Sequence, residues 1–177
     1  MRSDNFKILV FALLISISCK AQFISADIGV NGLTCSACSR SVELSIRKLD
    51  FVDDVQMDLE HTSGKVIFKK GAKVDIEKIA TAVSNAGFSV SFLRAQFQLH
   101  DSLNISENYC LNFEGSSYQF IKIPSTVIKE EVTLLFIGKE FLSSTGYKKW
   151  KDSLKAQCTE TKSHYFVTIL FPVKDKI

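Results

Sequence analysis

The sequence predicts an α+β chain: residues 22–94 form a four-stranded sheet with two helices on one face, and residues 95–177 add a small, mostly β domain. Three observations carry this expectation. Apolar and polar residues alternate in four short stretches, two segments between them repeat apolar residues at helical spacing, and the order is βαββαβ.

The first strand is read at Asp27–Asn31, with Ile28 and Val30 on one face and Gly32 ending it. From Ala37, Val42, Ile46 and Leu49 recur at spacings of four and three, an amphipathic helix whose apolar stripe includes Cys38. Val55, Met57 and Leu59 alternate with polar residues as a second strand. His61–Gly64 then turns the chain into a third strand at 65–69, with Val66 and Phe68 pointing the same way. Ile76, Ile79, Ala80 and Val83 mark a second helix, capped at Asp75 and stopped by Gly87. Phe88, Val90 and Phe92 make the fourth strand. Folded antiparallel with both helices on one face, this order gives the ferredoxin-like arrangement.

Beyond Leu93 the alternation of helices and strands ceases to repeat, which places a boundary near Arg94. Strand-like runs follow at 109–113, 118–123, 132–137 and 165–171, with a helix expected over Gly146–Lys155, and together they suggest a small barrel with one helix. No low-complexity linker parts the halves, so packing between them is compatible with the sequence.

At 177 residues, 46% hydrophobic and 23% charged, the chain has ordinary globular composition. Its net charge of +3, with Lys and Arg dispersed among acids, argues against a nucleic-acid surface. Arg2 and Lys7 precede an apolar run, Ile8–Ile17, and small or polar residues lead to Ala21; this reads as a secretory signal covering residues 1–21, with a periplasmic or secreted product. The run falls short of the roughly 20 residues that span a bilayer, so no transmembrane span is expected. Cys19, after Ser16-Ile17-Ser18, loosely resembles a lipid-attachment cysteine but lacks Leu three positions earlier.

Export would put Cys35, Cys38, Cys110 and Cys158 where disulfides persist. Cys35 and Cys38, three apart where a loop enters a helix, turn both sulfurs toward one point. Unpaired N–H groups and the helix dipole favour thiolates there. Two thiolates are too few for the usual four-ligand structural zinc site, and soft sulfur donors in low coordination suit copper(I) or a chemically similar ion. Such an open site lets a partner's cysteines take the ion.

Gly32-Leu33-Thr34-Cys35-Ser36-Ala37-Cys38, between the first strand and first helix, resembles the GMTCxxC signature of heavy-metal-associated domains, and Asn85-Ala86-Gly87-Phe88 is similar to the family's ending before the last strand. These domains occur in copper chaperones, copper-transporting P-type ATPases and periplasmic mercury-binding proteins. The resemblance implies that Cys35 and Cys38 are the ligands, that Leu33 and Thr34 shape the loop, and that Phe88 lies near the site. It also implies copper(I) or mercury(II) as cargo, and as partner a copper-transporting ATPase or another metal-binding domain. Leu33 stands where the family has Met, a swap of similar apolar volume.

A bare CxxC also serves thiol–disulfide exchange, with Cys35 as nucleophile and Cys38 resolving. The strand order expected here differs from that of a thioredoxin-like domain, and no Trp precedes Cys35. Cys110 and Cys158 fit a structural disulfide, with a second thiol site as the alternative. His61, His100 and His164 read as surface or packing residues. Lys148, Lys149, Lys151 and Lys155 would solvate a helix that buries Trp150, or face an acidic partner. Asn104-Ile105-Ser106 matches a glycosylation sequon to which no role is assigned. No phosphate loop and no nucleophile–base–oxyanion constellation is apparent, so a binding protein rather than an enzyme is expected.

Overall fold

A computed structural model describes residues 21–158 and 163–171. The expected leader and Cys19 lie outside the described residues. β1 (Gln22–Asn31), α1 (Ser36–Arg47), β2 (Val52–Asp58), β3 (Ser63–Phe68), α2 (Ile76–Asn85) and β4 (Ser89–Gln98) follow the expected order. The strands lie β2-β3-β1-β4, every neighbour antiparallel, which is the ferredoxin-like sheet. Ile28, Val30, Val42, Ile46, Val66, Ile79, Val83 and Leu93 are at most 1% exposed between sheet and helices. Each such side chain contributes roughly 2 kcal/mol by leaving water. Ser45 Oγ donates to Ala82 O at 2.7 Å, fastening α1 to α2.

Two local signals set the ends of these elements. Asp75 caps α2 by accepting from Lys78 N, and the end of α2 is closed by Gly87 N to Ser84 O and Phe88 N to Val83 O, with Gly87 at φ +89°. Leu59, expected in the second strand, instead lies 40% exposed in the turn. Asp58 accepts from His61 N at 3.1 Å and Thr62 adopts φ +48°, so the turn begins one residue early.

The remaining elements are β5 (Leu103–Ile105), β6 (Cys110–Phe113), β7 (Ser116–Phe120), β8 (Thr126–Ile128), β9 (Glu131–Ile137), α3 (Ser144–Lys148), a 3-10 turn (Lys151–Ser153) and β10 (Ser163–Ile169). The four runs expected as strands correspond to β6, β7, β9 and β10. They extend the first sheet into one of eight strands, β2-β3-β1-β4-β9-β10-β7-β6, rather than closing a separate barrel. β9 pairs with β4 across Arg94–Gln98, so the boundary expected near Arg94 falls inside a strand. The cause is visible in β4 itself, whose inward alternation continues past Leu93 through Ala95 and Phe97. Phe23 packs on Phe97, Phe113, Tyr118 and Phe136, with ring centroids 4.9–6.3 Å apart, giving both halves one core.

Strand alternation splits the sheet into two faces. α1 and α2 cover one, and the short β5–β8 pair adds Ile105 and Ile128 to the same core. On the other face Phe92, Leu135, Ile137 and Phe166 meet Leu142, Tyr147, Trp150 and Leu154. The helix expected over Gly146–Lys155 is shorter, breaking at Lys149 into α3 and the 3-10 turn. A Gly near its start lowers helix propensity, and the like charges at Lys148/Lys151 and Lys151/Lys155 offset the opposite-charge spacings that Asp152 makes with Lys148 and Lys155. Trp150 is half-buried rather than buried.

Candidate metal centre

Gly32, at φ +79°, turns the chain out of β1 with open space around it. Leu33 then inserts into the core at 1% exposure, anchoring the loop from below, while Thr34 is exposed. Cys35 is the N-cap of α1, in extended geometry (φ −140°, ψ 154°); its Sγ accepts from Cys38 N at 3.0 Å, and its carbonyl accepts from Ser39 N at 3.0 Å. A sulfur thus occupies the position normally filled by a Ser or Asp oxygen, where a helix start presents N–H groups and the positive end of its dipole. Charge developing on Cys35 as a thiolate is stabilised there.

Cys38 lies one turn on, half-buried against the core, whereas Cys35 is exposed. The two are joined as a disulfide with Cα atoms 5.1 Å apart. Two-electron reduction frees both sulfurs at the same helix end, the exposed one facing an incoming group first. Asn31 pairs with Ser89, and its Nδ2 donates to Ser89 Oγ at 3.1 Å, so β4 begins beside the base of the cysteine loop. This sets half-buried Phe88 at the same end of the sheet, in the wall of a cleft of about 360 Å³ that also includes Asn31, Ser84, Val90, Lys139 and Ser143. Ser143 N donates to Ser91 O at 2.9 Å, bringing the loop after β9 to this end as well.

The histidines lie elsewhere. His61 Nδ1 is 2.8 Å from Asp58 Oδ2 on the exposed hairpin turn, and His100 is exposed beyond β4. His164, on β10, has Nε2 3.1 Å from Gln119 Oε1, and burial holds its pKa below the ordinary imidazole value. Among the described residues no group of three or more His, Cys, Asp or Glu is placed to hold a metal.

Cys110 and Cys158 are brought together with Cα atoms 5.7 Å apart, joining β6 to the segment after the 3-10 turn. Buried Gln119 organises this corner: its Nε2 donates to Asn108 Oδ1 and Lys155 O, and its Oε1 accepts from Gln157 N. Sequence reading missed Gln119, and also Cys35 as a cap. The signal for Gln119 was one amide inside the apolar run Tyr118–Ile123; for Cys35 it was the place of its sulfur just before a helical period.

Residues 28–89 match the family model described as "Heavy-metal-associated domain". The copper chaperone CopZ of Bacillus subtilis is 38% identical over 63 residues, which cover 35% of this chain and 88% of that protein. The periplasmic component of the mercuric transport protein of Pseudomonas fluorescens is 36% identical over 67 residues, covering 38% and 72%. The probable copper-transporting ATPase HMA5 of Arabidopsis thaliana is 36% identical over 64 residues, 36% of this chain but only 6% of that ATPase.

Proposed function

The chain belongs to the heavy-metal-associated domain family through residues 28–89, and from that premise we propose that it is an exported carrier or sequestering protein for a soft thiophilic ion, copper(I) first and mercury(II) second. The ion is held between the reduced sulfurs of Cys35 and Cys38. One observation carries the reading: a two-sulfur donor set at an open helix N-terminus, with one sulfur exposed and already receiving a backbone N–H. Soft donors in low coordination select such ions over magnesium or calcium.

Transfer proceeds by thiolate exchange. A thiolate of the receiving protein, a copper-transporting ATPase or another metal-binding domain, attacks the bound ion from the side of Cys35. A three-sulfur intermediate forms, and one resident sulfur then leaves, so the ion is coordinated throughout. The Cys110–Cys158 bridge has a structural role in this scheme.

Cys35→Ser tests the reading cleanly, because Ser is itself a preferred N-cap and keeps the helix start within about 0.5 kcal/mol of its original stability. Reduced wild-type protein takes up one equivalent of copper(I) in a competition titration against a chromophoric chelator. The variant keeps its fold by circular dichroism and loses that equivalent. Retention of tight binding in the variant refutes the assignment. The closed Cys35–Cys38 bond favours one second reading, thiol–disulfide exchange, in which the reduced Cys35 thiolate attacks a substrate disulfide and expels one substrate thiolate, and Cys38 then displaces the second and closes the Cys35–Cys38 bond. Cys35-dependent turnover of a glutathione mixed disulfide, combined with weak metal affinity, would select that reading.

A further inference from the structure

The β4-β9-β10 part of the sheet face opposite α1 and α2 is covered by the segment from Leu142 to Leu154, which turns its apolar side inward and its lysines outward. Residues 139–155 carry five lysines against Glu140 and Asp152, a surplus of +3 that equals the formal charge of the entire chain. The surplus is thus concentrated in one 17-residue stretch. Lys148, Lys149, Lys151 and Lys155 are all exposed, and the ion pairs of the described residues, Arg40 and Arg47 with Glu43, Arg47 with Asp54 and His61 with Asp58, involve none of them. Lys122, from the end of β7, joins the patch with Nζ 4.7 Å from the centroid of the Trp150 ring, and Lys139 Nζ lies 5.8 Å from that of Tyr147. Half-buried Trp150 and Tyr147 therefore sit among unneutralised ammonium groups.

We propose that this lysine and aromatic surface is a docking face for an anionic phospholipid bilayer. Clustered lysines are drawn to acidic headgroups, and Trp and Tyr rings favour the headgroup level, where one edge is wet and the other apolar. Position separates this occupant from an acidic protein that exchanges metal. A transfer partner must reach Cys35, at the end of the sheet where β1 meets α1, whereas Lys122, Lys148, Lys149, Lys151 and Lys155 lie with the segment that packs on the back of the sheet; Lys139, which also lines the cleft at the cysteine end, marks the edge of the patch. Attachment by the back leaves the cysteine loop open to a partner. The proposal does not depend on which ion the cysteines carry.

Trp150 is the sole tryptophan, so its fluorescence reports on this face alone. The test uses the chain from Ala21 onward, which holds every described element, mixed with vesicles of phosphatidylcholine alone or of phosphatidylcholine with phosphatidylglycerol. Cosedimentation and a blue shift of Trp150 emission are expected only with the anionic vesicles, and both should weaken as salt rises. The variant with Lys148, Lys149, Lys151 and Lys155 all changed to Gln should lose partitioning on the order of a hundredfold or more, at the affinity usual for lysines near acidic lipid. Its circular dichroism and copper(I) stoichiometry should be unchanged. Equal binding to neutral vesicles, or undiminished binding by the variant, overturns the proposal. A Trp150 response to polyglutamate without one to anionic vesicles also overturns it and assigns the face to an acidic protein.

Discussion

Phe97→Ala tests whether the two halves form one folding unit. The Phe97 ring is 2% exposed and lies 4.9 Å from Phe23 of β1 and 5.0 Å from Phe113 of β6, spanning the first and second halves of the chain. Truncating a buried Phe costs about 3–5 kcal/mol in transfer and cavity terms, and its two aromatic partners place this site toward the middle or top of that range. For a chain of this size a loss of about 4 kcal/mol lowers Tm by roughly 8–16 °C. The assay is thermal unfolding followed by far-ultraviolet circular dichroism, by Trp150 fluorescence from the second half, and by copper(I) retention at the first. All three transitions should shift together. A metal-binding half that keeps its original Tm while Trp150 melts early would refute the shared core, as would a loss below about 1 kcal/mol.

Two further perturbations address the second half. Replacing Cys110 and Cys158 with Ser opens a cross-link between residues 48 apart, worth about 4 kcal/mol in the chain-entropy model, and denaturant unfolding should show most of that loss with the fold retained. His164 contributes a pH dependence: with its folded pKa depressed by burial, the unfolded chain binds the proton first, so stability falls as pH drops from the ordinary imidazole value toward the lower folded one. Denaturant midpoints measured across that window should decline in the wild type and flatten in His164→Gln.

The first half was legible because its signals are local and agree with one another. Helical spacing, the Asp75 cap, the Gly87 stop and period-2 strands each specify their own stretch of chain, and the cysteine loop falls between two of them. The second half was not, because its architecture is decided by pairing at a distance. Nothing in Glu131–Ile137 announces that it lies beside Arg94–Gln98, and parallel pairing of β7 with β10 joins residues nearly fifty positions apart. Alternation did continue through Ala95 and Phe97. Reading the boundary from the end of the βαββαβ count, rather than from the end of that alternation, placed it inside a strand. The helix over Gly146–Lys155 was overextended for a related reason: periodicity there reports which residues face the sheet, and a short helix followed by a 3-10 turn serves that equally well.

Gly87 links these local signals to the candidate metal site. Its left-handed backbone lets Phe88 N reach Val83 O, which closes α2 and starts β4 beside Asn31 at the base of the cysteine loop. A Cβ at this position would meet nothing within 4 Å, so any effect of Gly87→Ala is conformational rather than steric. The expected loss is about 1–2 kcal/mol, the usual penalty for a non-glycine residue in this region. Gly87→Asn should recover part of it, because Asn tolerates the left-handed region better than other side chains. Urea midpoints of the two variants separate the causes. A graded loss, Ala larger than Asn, supports backbone conformation as the constraint at this junction; equal losses for the two side chains would refute it and point to a crowding that the open space around Gly87 contradicts.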